Sequence, residues 1–441
     1  MLVKEILKIK NSKLINGKNI NIDHFSINTN DVLKKTFFIP LKGNTDGHKY
    51  ILNGVKNKIA GFFVEPNHGD IIKESLKIND QLIIIEVPNT LKAMQELAKL
   101  TRENLNIPVI ALTGSYGKTT QREMINSVLK QEFKVLTTKG NFNNHIGMPL
   151  TLINYNNEEI ILLELGTNHM GEIAFLRDIC KPTITLITNI GTAHIGNFKN
   201  KKNIFKEKTS IINGSEYYLK NNDDELLKKI KTNKTNKTNI INYSIQEIDN
   251  LTYNNKISYD IKINNKNHHI TINSDIPYLT NYSLAALKIG LLLNMKIENI
   301  IKGIKNFKSI NSRMEKIKKG KHIIIKDCYN ASFETMTSGL EYFSKLNIEN
   351  KIVILGDILE LGDKSSKIHE DIAKYIINNN LTFKEYHLVG KEMQKVYEIL
   401  KKKNYNAYYY KTVDEVNKNI LKNNSVYLKA SNGIGLFKLL D

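Results

Sequence analysis

The sequence predicts an α/β protein of two to four domains built on largely parallel sheets. Three observations lead there. Strand-like and helix-like segments alternate through most of the chain. Its 441 residues exceed what one hydrophobic core serves. A Gly-Lys-Thr-Thr turn at 117–120 joins an apolar run to a helical pattern, a junction that points backbone N–H groups at a bound anion.

The elements follow in order. Within residues 1–88, the runs Thr36–Leu41, Ala60–Glu65 and Gln81–Val87 read as short strands. Pro88-Asn89-Thr90 marks a boundary, because Pro and Asn punctuate regular structure. In Leu91–Asn104, Leu91, Met94, Leu97, Ala98 and Leu100 recur near a 3.6 period and predict a helix. Residues 107–112, Ile160–Leu165 and Thr183–Ile187 read as buried strands. Lys231–Asn239 repeats Lys-Thr-Asn without apolar anchors and reads as a solvated loop. An Asn-rich, β-like patch runs to about Asn273, and helical pattern returns at Ser283–Leu293. From Arg313 the alternation resumes, with strands at His322–Lys326, Lys351–Leu355, Tyr386–Val389 and Ser425–Lys429 and a helix from Lys367. This last unit is long enough to fold alone. The expected domains are residues 1–88, 89–309 and 310–441.

Bulk properties narrow the class. Hydrophobic residues at 41% and charged residues at 24% permit an ordinary globular core. The net charge of +20 comes from lysines spread along the chain, with no basic block interleaved with aromatics. It therefore argues for solvated lysines and a field that attracts polyanionic nucleotides, not for nucleic-acid binding. Cys180 and Cys328 offer neither a disulfide framework nor metal spacing. Met1–Lys13 lacks the apolar core of a signal peptide, and no apolar stretch is long enough to span a bilayer. A cytoplasmic enzyme without membrane insertion fits.

The sharpest local signal is Leu112-Thr113-Gly114-Ser115-Tyr116-Gly117-Lys118-Thr119-Thr120. It follows a strand and opens a helix whose apolar face is Met124, Ile125, Val128 and Leu129. Glycines let backbone N–H groups turn toward phosphate oxygens, and the helix N-terminus adds positive partial charge. Lys118 can reach β- and γ-phosphates and the Thr119 hydroxyl can ligate Mg²⁺. The general pattern wants Gly where Leu112 stands, so this is a shortened variant.

With that loop the chain resembles the Mur ligase family, and further segments match in the family's order. They are Asp46-Gly47-His48, the Asn-rich stretch Gly140–Leu150, Glu164-Leu165-Gly166, Gly171-Glu172-Ile173, Thr188-Asn189-Ile190-Gly191-Thr192-Ala193-His194 and Lys206-Glu207-Lys208. The C-terminal segments are Ser312-Arg313-Met314, Asp327-Cys328-Tyr329-Asn330-Ala331, Leu355–Gly362 and Lys429-Ala430-Ser431. The resemblance implies a small α/β N-terminal domain for a UDP-linked substrate, a central P-loop mononucleotide-binding domain with a parallel sheet, and a C-terminal Rossmann-like domain. The Tyr-Asn-Ala and Leu-Gly-Asp-x-x-Glu-Leu-Gly elements favour the member that joins D-alanyl-D-alanine to UDP-N-acetylmuramoyl-tripeptide, with ATP consumed through an acyl phosphate.

Site roles follow from that resemblance. ATP would lie on Gly114, Ser115, Tyr116, Gly117, Lys118, Thr119 and Thr120, with Asn189 and Asn281 at the adenine, Arg313 at the phosphates and Asp327 at the ribose. Mg²⁺ would be held by Thr119 and Glu164, and a second Mg²⁺ by His194. Lys208 would be carbamylated, which turns a cation into an anionic oxygen ligand; Lys206 is its neighbouring competitor. Lys118, Glu164, His194 and Lys208 form the catalytic set. Asp46, His48, Asn143, Asn144, Tyr329 and Asn330 would line the path of the nucleotide–peptide and dipeptide substrates. The enzyme is expected to be a monomer.

The chain also departs from the family. Ser26-Ile27-Asn28-Thr29-Asn30 lacks the Arg that normally accompanies the uridine-gripping Ser. Paired acids are reduced to Lys326-Asp327, an Asn-Pro is replaced by Ser332-Phe333, the His expected shortly before Asn281 is absent with Tyr278 nearest, a Gly by Ser312, and an Arg by Asn432. The rival readings are a sister Mur or folylpolyglutamate-type ligase, a non-catalytic nucleotide-binding paralogue, and a nucleic-acid-stimulated ATPase.

Overall fold

The structure is a computed structural model and describes residues 1–231, 238–309 and 312–440. Most of the Lys-Thr-Asn repeat, 232–237, lies outside the described residues. The chain divides into two compact units, residues 1–111 with 133–166 and 172–184, and residues 112–132 with 167–171 and 185–441.

In the first unit, a sheet runs in the order Lys13–Asn16, Ile83–Glu86, Gly61–Val64, Thr36–Phe38, His24–Ser26. Its pairings are parallel except at the Lys13–Asn16 edge. Phe38, Phe62, Val64 and Ile84 are buried in the core of this sheet with Ile51 and Val55 of the following helix. Asn154, just past the helix Gly147–Ile153, clamps Phe25 at the sheet's far edge. Its Oδ1 accepts from Phe25 N–H at 2.8 Å and its Nδ2 donates to Phe25 O at 2.9 Å. The predicted helix spans Thr90–Glu103, capped by Asn89, whose side chain accepts from Lys92 N–H. Met94, Leu97 and Ala98 are buried, as their period requires.

A second sheet has the order Asn239–Tyr243, Tyr217–Asn221, Ile184–Ile187, Val109–Thr113, Ile160–Glu164, Val135–Thr137. The predicted apolar strands are fully buried here, which is what continuous Ile/Leu/Val runs demand of a sheet covered on both faces. The Asn-rich patch forms an antiparallel sheet of Ile248–Thr252, Ile257–Ile263 and Lys266–Ile272.

The C-terminal sheet runs Glu315–Lys319, His322–Asp327, Ser425–Lys429, Lys351–Gly356, Glu385–Val389, Ala407–Tyr410. It is parallel except at the first pair. Glu315–Lys319 was not expected as a strand: Glu-Lys-Ile-Lys-Lys carries one apolar residue, and the hairpin partner, not burial, extends it. Among the described residues no helix is long and apolar enough to cross a membrane.

Candidate functional site

The loop after Val109–Thr113 is built on two glycines. A Cβ on Gly114 would lie 1.8 Å from Thr188 Oγ1, and one on Gly117, at φ 74°, 1.6 Å from the Tyr282 hydroxyl. Only glycine fits either place. The helix Lys118–Leu129 then begins, and Met124, Ile125, Val128 and Leu129 are fully buried. Lys118 Nζ folds back to donate to Gly114 O at 2.8 Å, which puts its cation across the loop's mouth.

The loop is held from beneath by the segment 188–191. Ser115 N–H donates to Asn189 O and Gly191 N–H to Ser115 Oγ. Thr188 Oγ1 donates to Tyr116 O at 2.8 Å. The Asn189 amide accepts from Tyr116 N–H at 3.1 Å and donates to Tyr116 O at 3.0 Å. Asn189, expected at the adenine, is buried and bonds the loop's backbone through its amide, so it shapes the cradle. Asn281 has the opposite character. Its Oδ1 is buried with no hydrogen-bond partner among the described residues. Such an orphan acceptor suits an exocyclic amine.

Arg313 arrives from the C-terminal part of the same unit. Its guanidinium lies 3.9 Å over the Tyr329 ring, and Nη2 donates to Thr119 Oγ1 at 3.0 Å. Two residues expected at the phosphates are thus brought together. Tyr329, expected to line the substrate path, acts here as the platform for Arg313. Asp327 is buried, with Oδ2 2.6 Å from Lys429 Nζ and 3.3 Å from the Tyr427 hydroxyl, and Oδ1 accepts from Met314 N–H. Asn330 is exposed, and its Oδ1 accepts from Ala331 N–H.

Lys208 ends the helix Lys201–Thr209 and is only 2% exposed, whereas Lys206 is exposed. Burial, and then the neighbouring Lys118 charge, hold the Lys208 ammonium well below the usual lysine range, against an opposing pull from Glu207. A neutral amine is the form that reacts with CO₂. Glu207 is a residue that sequence reasoning missed. It is buried, accepts from Gly171 N–H at 2.6 Å and from Thr167 Oγ1 at 3.2 Å, and so fixes the turn 167–171 beside Lys208. His194 has a positive φ of 59° and lies with Nδ1 2.5 Å from Glu360 Oε2.

In the first unit, Glu164 ends its strand 2% exposed, and Oε1 accepts from Asn143 Nδ2 at 2.8 Å. Asn143 also accepts from Gly166 N–H through its carbonyl, so it orients the carboxylate. Asn144 Oδ1 accepts from Ile146 and Gly147 N–H and starts the helix Gly147–Ile153. His48, expected as a substrate contact, is engaged within its own domain. His48 is 1% exposed; Nδ1 donates to Asp46 Oδ1 at 2.6 Å and Nε2 accepts from Glu65 N–H at 3.1 Å. Both nitrogens are used inside the domain, and the Asp46 side chain also caps the turn Gly47–Tyr50.

These arrangements have known counterparts. The family model for the Mur ligase middle domain matches residues 112–304, and that for the Mur ligase glutamate ligase domain matches residues 312–432. A UDP-N-acetylmuramoyl-tripeptide--D-alanyl-D-alanine ligase of Rickettsia prowazekii is 31% identical over 96% of this chain and 96% of its own length. The enzyme of that name from Bacillus subtilis is 33% identical over 77% of this chain and 74% of its own. The fold matches a crystal structure of MurF from Acinetobacter baumannii with a TM-score of 0.85 at 24% identity, over 99% of this chain and 97% of that one. A MurF ligase from Thermotoga maritima, solved in complex with ADP, matches with a TM-score of 0.76 at 22% identity over 95% of this chain and 96% of that one. The ordered motifs, the glycine-built phosphate loop and these likenesses converge: the chain belongs to the Mur ligase family, among its D-alanyl-D-alanine-adding ligases.

Proposed function

We propose that the chain is an ATP-dependent ligase that joins D-alanyl-D-alanine to UDP-N-acetylmuramoyl-tripeptide in peptidoglycan precursor synthesis. The observation that carries the reading is the loop 114–120, in which two positions admit only glycine and Lys118 spans the mouth. In the reaction the peptide carboxylate attacks the γ-phosphorus of ATP, giving an acyl phosphate and ADP. The dipeptide amine then attacks the acyl carbon, phosphate leaves, and the amine gives up a proton. Phosphoryl transfer of this kind is mostly positioning and charge neutralisation.

The resemblance assigns Mg²⁺ to four residues whose donor chemistry, each taken by itself, suits it. Thr119 supplies a hydroxyl, Glu164 a buried carboxylate oriented by Asn143, and His194 an imidazole, while buried Lys208 carries an amine shifted toward its neutral form. Carbamylation of Lys208 adds CO₂ to that amine with loss of a proton and leaves an anionic oxygen ligand. Bound there, Mg²⁺ would neutralise phosphate charge and polarise the transferred group. Lys118 and Arg313 bind and orient phosphate oxygens, Asn281 receives the adenine amine, and Asp327 is the candidate for the ribose hydroxyls. In this reading residues 1–88 receive the UDP end, 89–309 hold ATP and 310–441 bring the dipeptide past Tyr329 and Asn330. Asp46, Asn143 and Asn144 stay candidates for the substrate path. The enzyme works as a cytoplasmic monomer on small molecules.

The test is phosphate release from ATP and Mg²⁺ with UDP-N-acetylmuramoyl-tripeptide, with and without D-alanyl-D-alanine, and with D-alanine as control. Turnover that needs the dipeptide, and that falls by on the order of 10²–10³-fold in Lys118→Ala, is expected. Turnover with a single amino acid instead would assign a sister ligase.

A further inference from the structure

Tyr282 brings a hydroxyl to the phosphate loop. It lies in the first turn of the helix Leu279–Leu292, next to Asn281 in the chain. Only 6% of the residue is exposed, so packing fixes the ring. Its backbone carbonyl accepts from Gln121 Nε2 at 3.0 Å, which ties it to the helix that opens with Lys118. The Tyr278 ring lies 5.3 Å away, centroid to centroid. The Tyr282 hydroxyl stands against Gly117, and it has no hydrogen-bond partner among the described residues. A phenol hydroxyl this deep in a protein normally finds one.

The loop is short of donors at that place. Ser115 N–H goes to Asn189 O at 3.1 Å and Tyr116 N–H to Asn189 Oδ1 at 3.1 Å, so two of its amides are spent on the protein. Gly117 is what lets the hydroxyl in. With any side chain at position 117 the oxygen would be an obstacle, and beside glycine it borders the loop directly. Burial pushes the Tyr282 phenol above the usual tyrosine range, with the Arg313 charge pulling the other way. The group is therefore protonated at neutral pH and can donate.

We propose that the Tyr282 hydroxyl is a nucleotide-binding group that donates to the α-phosphate of ATP. This rests on the reading of the loop 114–120 as the ATP site. The order of residues matches the order of groups along the nucleotide. Asn281, beside Tyr282, is the candidate for the adenine amine, and Lys118 and Thr119, just after Gly117, are those for the outer phosphates and their metal. A hydroxyl set between them meets the phosphate that joins adenosine to the rest. A phosphate oxygen is a charged acceptor, so the bond is stronger than one between neutral groups. Little freedom is lost in making it, because the ring is already held.

The test is isothermal titration calorimetry on the full-length protein, parent and Tyr282→Phe, with ADP, AMP, pyrophosphate and adenosine at one Mg²⁺ concentration. The substitution removes a single oxygen that bonds nothing in the protein, so the variant is expected to fold. It should weaken ADP and AMP by a common factor of about 10–100-fold and leave pyrophosphate and adenosine unchanged. Equal loss for pyrophosphate would mean that the hydroxyl only shapes the loop, and equal loss for adenosine that it meets the ribose or base; either overturns the α-phosphate assignment. Unchanged ADP affinity in Tyr282→Phe, with loss in Lys118→Ala, would overturn the proposal alone. No loss in Lys118→Ala would overturn the ATP reading beneath it.

Discussion

Lys429 Nζ lies 2.6 Å from Asp327 Oδ2, with both side chains nearly excluded from solvent, at adjacent strands of the C-terminal sheet. The strand ends that present Asp327 and Tyr329 are thereby tied to Ser425–Lys429. A buried pair is weak evidence of net stability, but breaking one is severe, because the remaining charge is stranded. Lys429→Ala should cost about 3–5 kcal/mol in urea unfolding. Asp327→Asn combined with Lys429→Met should recover much of that loss while nucleotide affinity stays impaired.

Gly117→Ala probes the cradle. The new Cβ would meet the Tyr282 hydroxyl in a backbone conformation that strains any L side chain. Fluorescent ADP should bind the variant on the order of 10²-fold more weakly, since both loop shape and the aimed N–H groups are lost. Adding Tyr282→Phe should restore part of the affinity, because the hydroxyl oxygen is the nearest obstacle. No recovery would place the effect in φ alone.

Lys208 gives a pH signature. Its folded pKa is depressed, so between that value and the unfolded one the unfolded chain binds more protons. Stability therefore rises with pH across that window, is fully gained above the unfolded lysine value, and is lost as pH falls through the folded one. In CO₂-free buffer at neutral pH, Lys208→Met should raise the melting temperature by about 2–4 °C, and the gap should close as pH approaches about 10.4. The same variant should lose turnover. Short carboxylic acids should partly restore turnover in Lys208→Ala if an anionic oxygen is what the site needs.

His48 should behave as a structural residue. Removing it leaves the Glu65 N–H without its acceptor and Asp46 without its donor. His48→Ala should lower stability by about 1–3 kcal/mol in chemical denaturation while KM for the UDP substrate stays near that of the parent. A large KM change at unchanged stability would return His48 to the substrate path.

Legibility in the sequence depended on how local the physics is. Val109–Thr113 and Ile160–Glu164 are continuous apolar runs, and a buried parallel strand needs nothing else. The loop 114–120 is equally local, because the glycines, the lysine and the helix start lie within one turn. That Asn189 clamps Tyr116 was not legible, because an amide's partner is a tertiary fact. Glu207 and Glu360 stand inside motifs that the sequence displays, but their partners were illegible for the same reason, one being a carboxylate in a Lys-rich helix and the other a turn residue.

By itself the sequence determined the α/β alternation, the phosphate loop and the ordered motifs of the family, since periodicity, glycine placement and residue type are properties of short segments. Only the tertiary structure decided that Lys208 and not Lys206 is buried, that His48 is spent inside its own domain, and that Glu360 reaches His194. Burial and hydrogen-bond partnership are set by residues far apart in the chain, and packing alone brings those together.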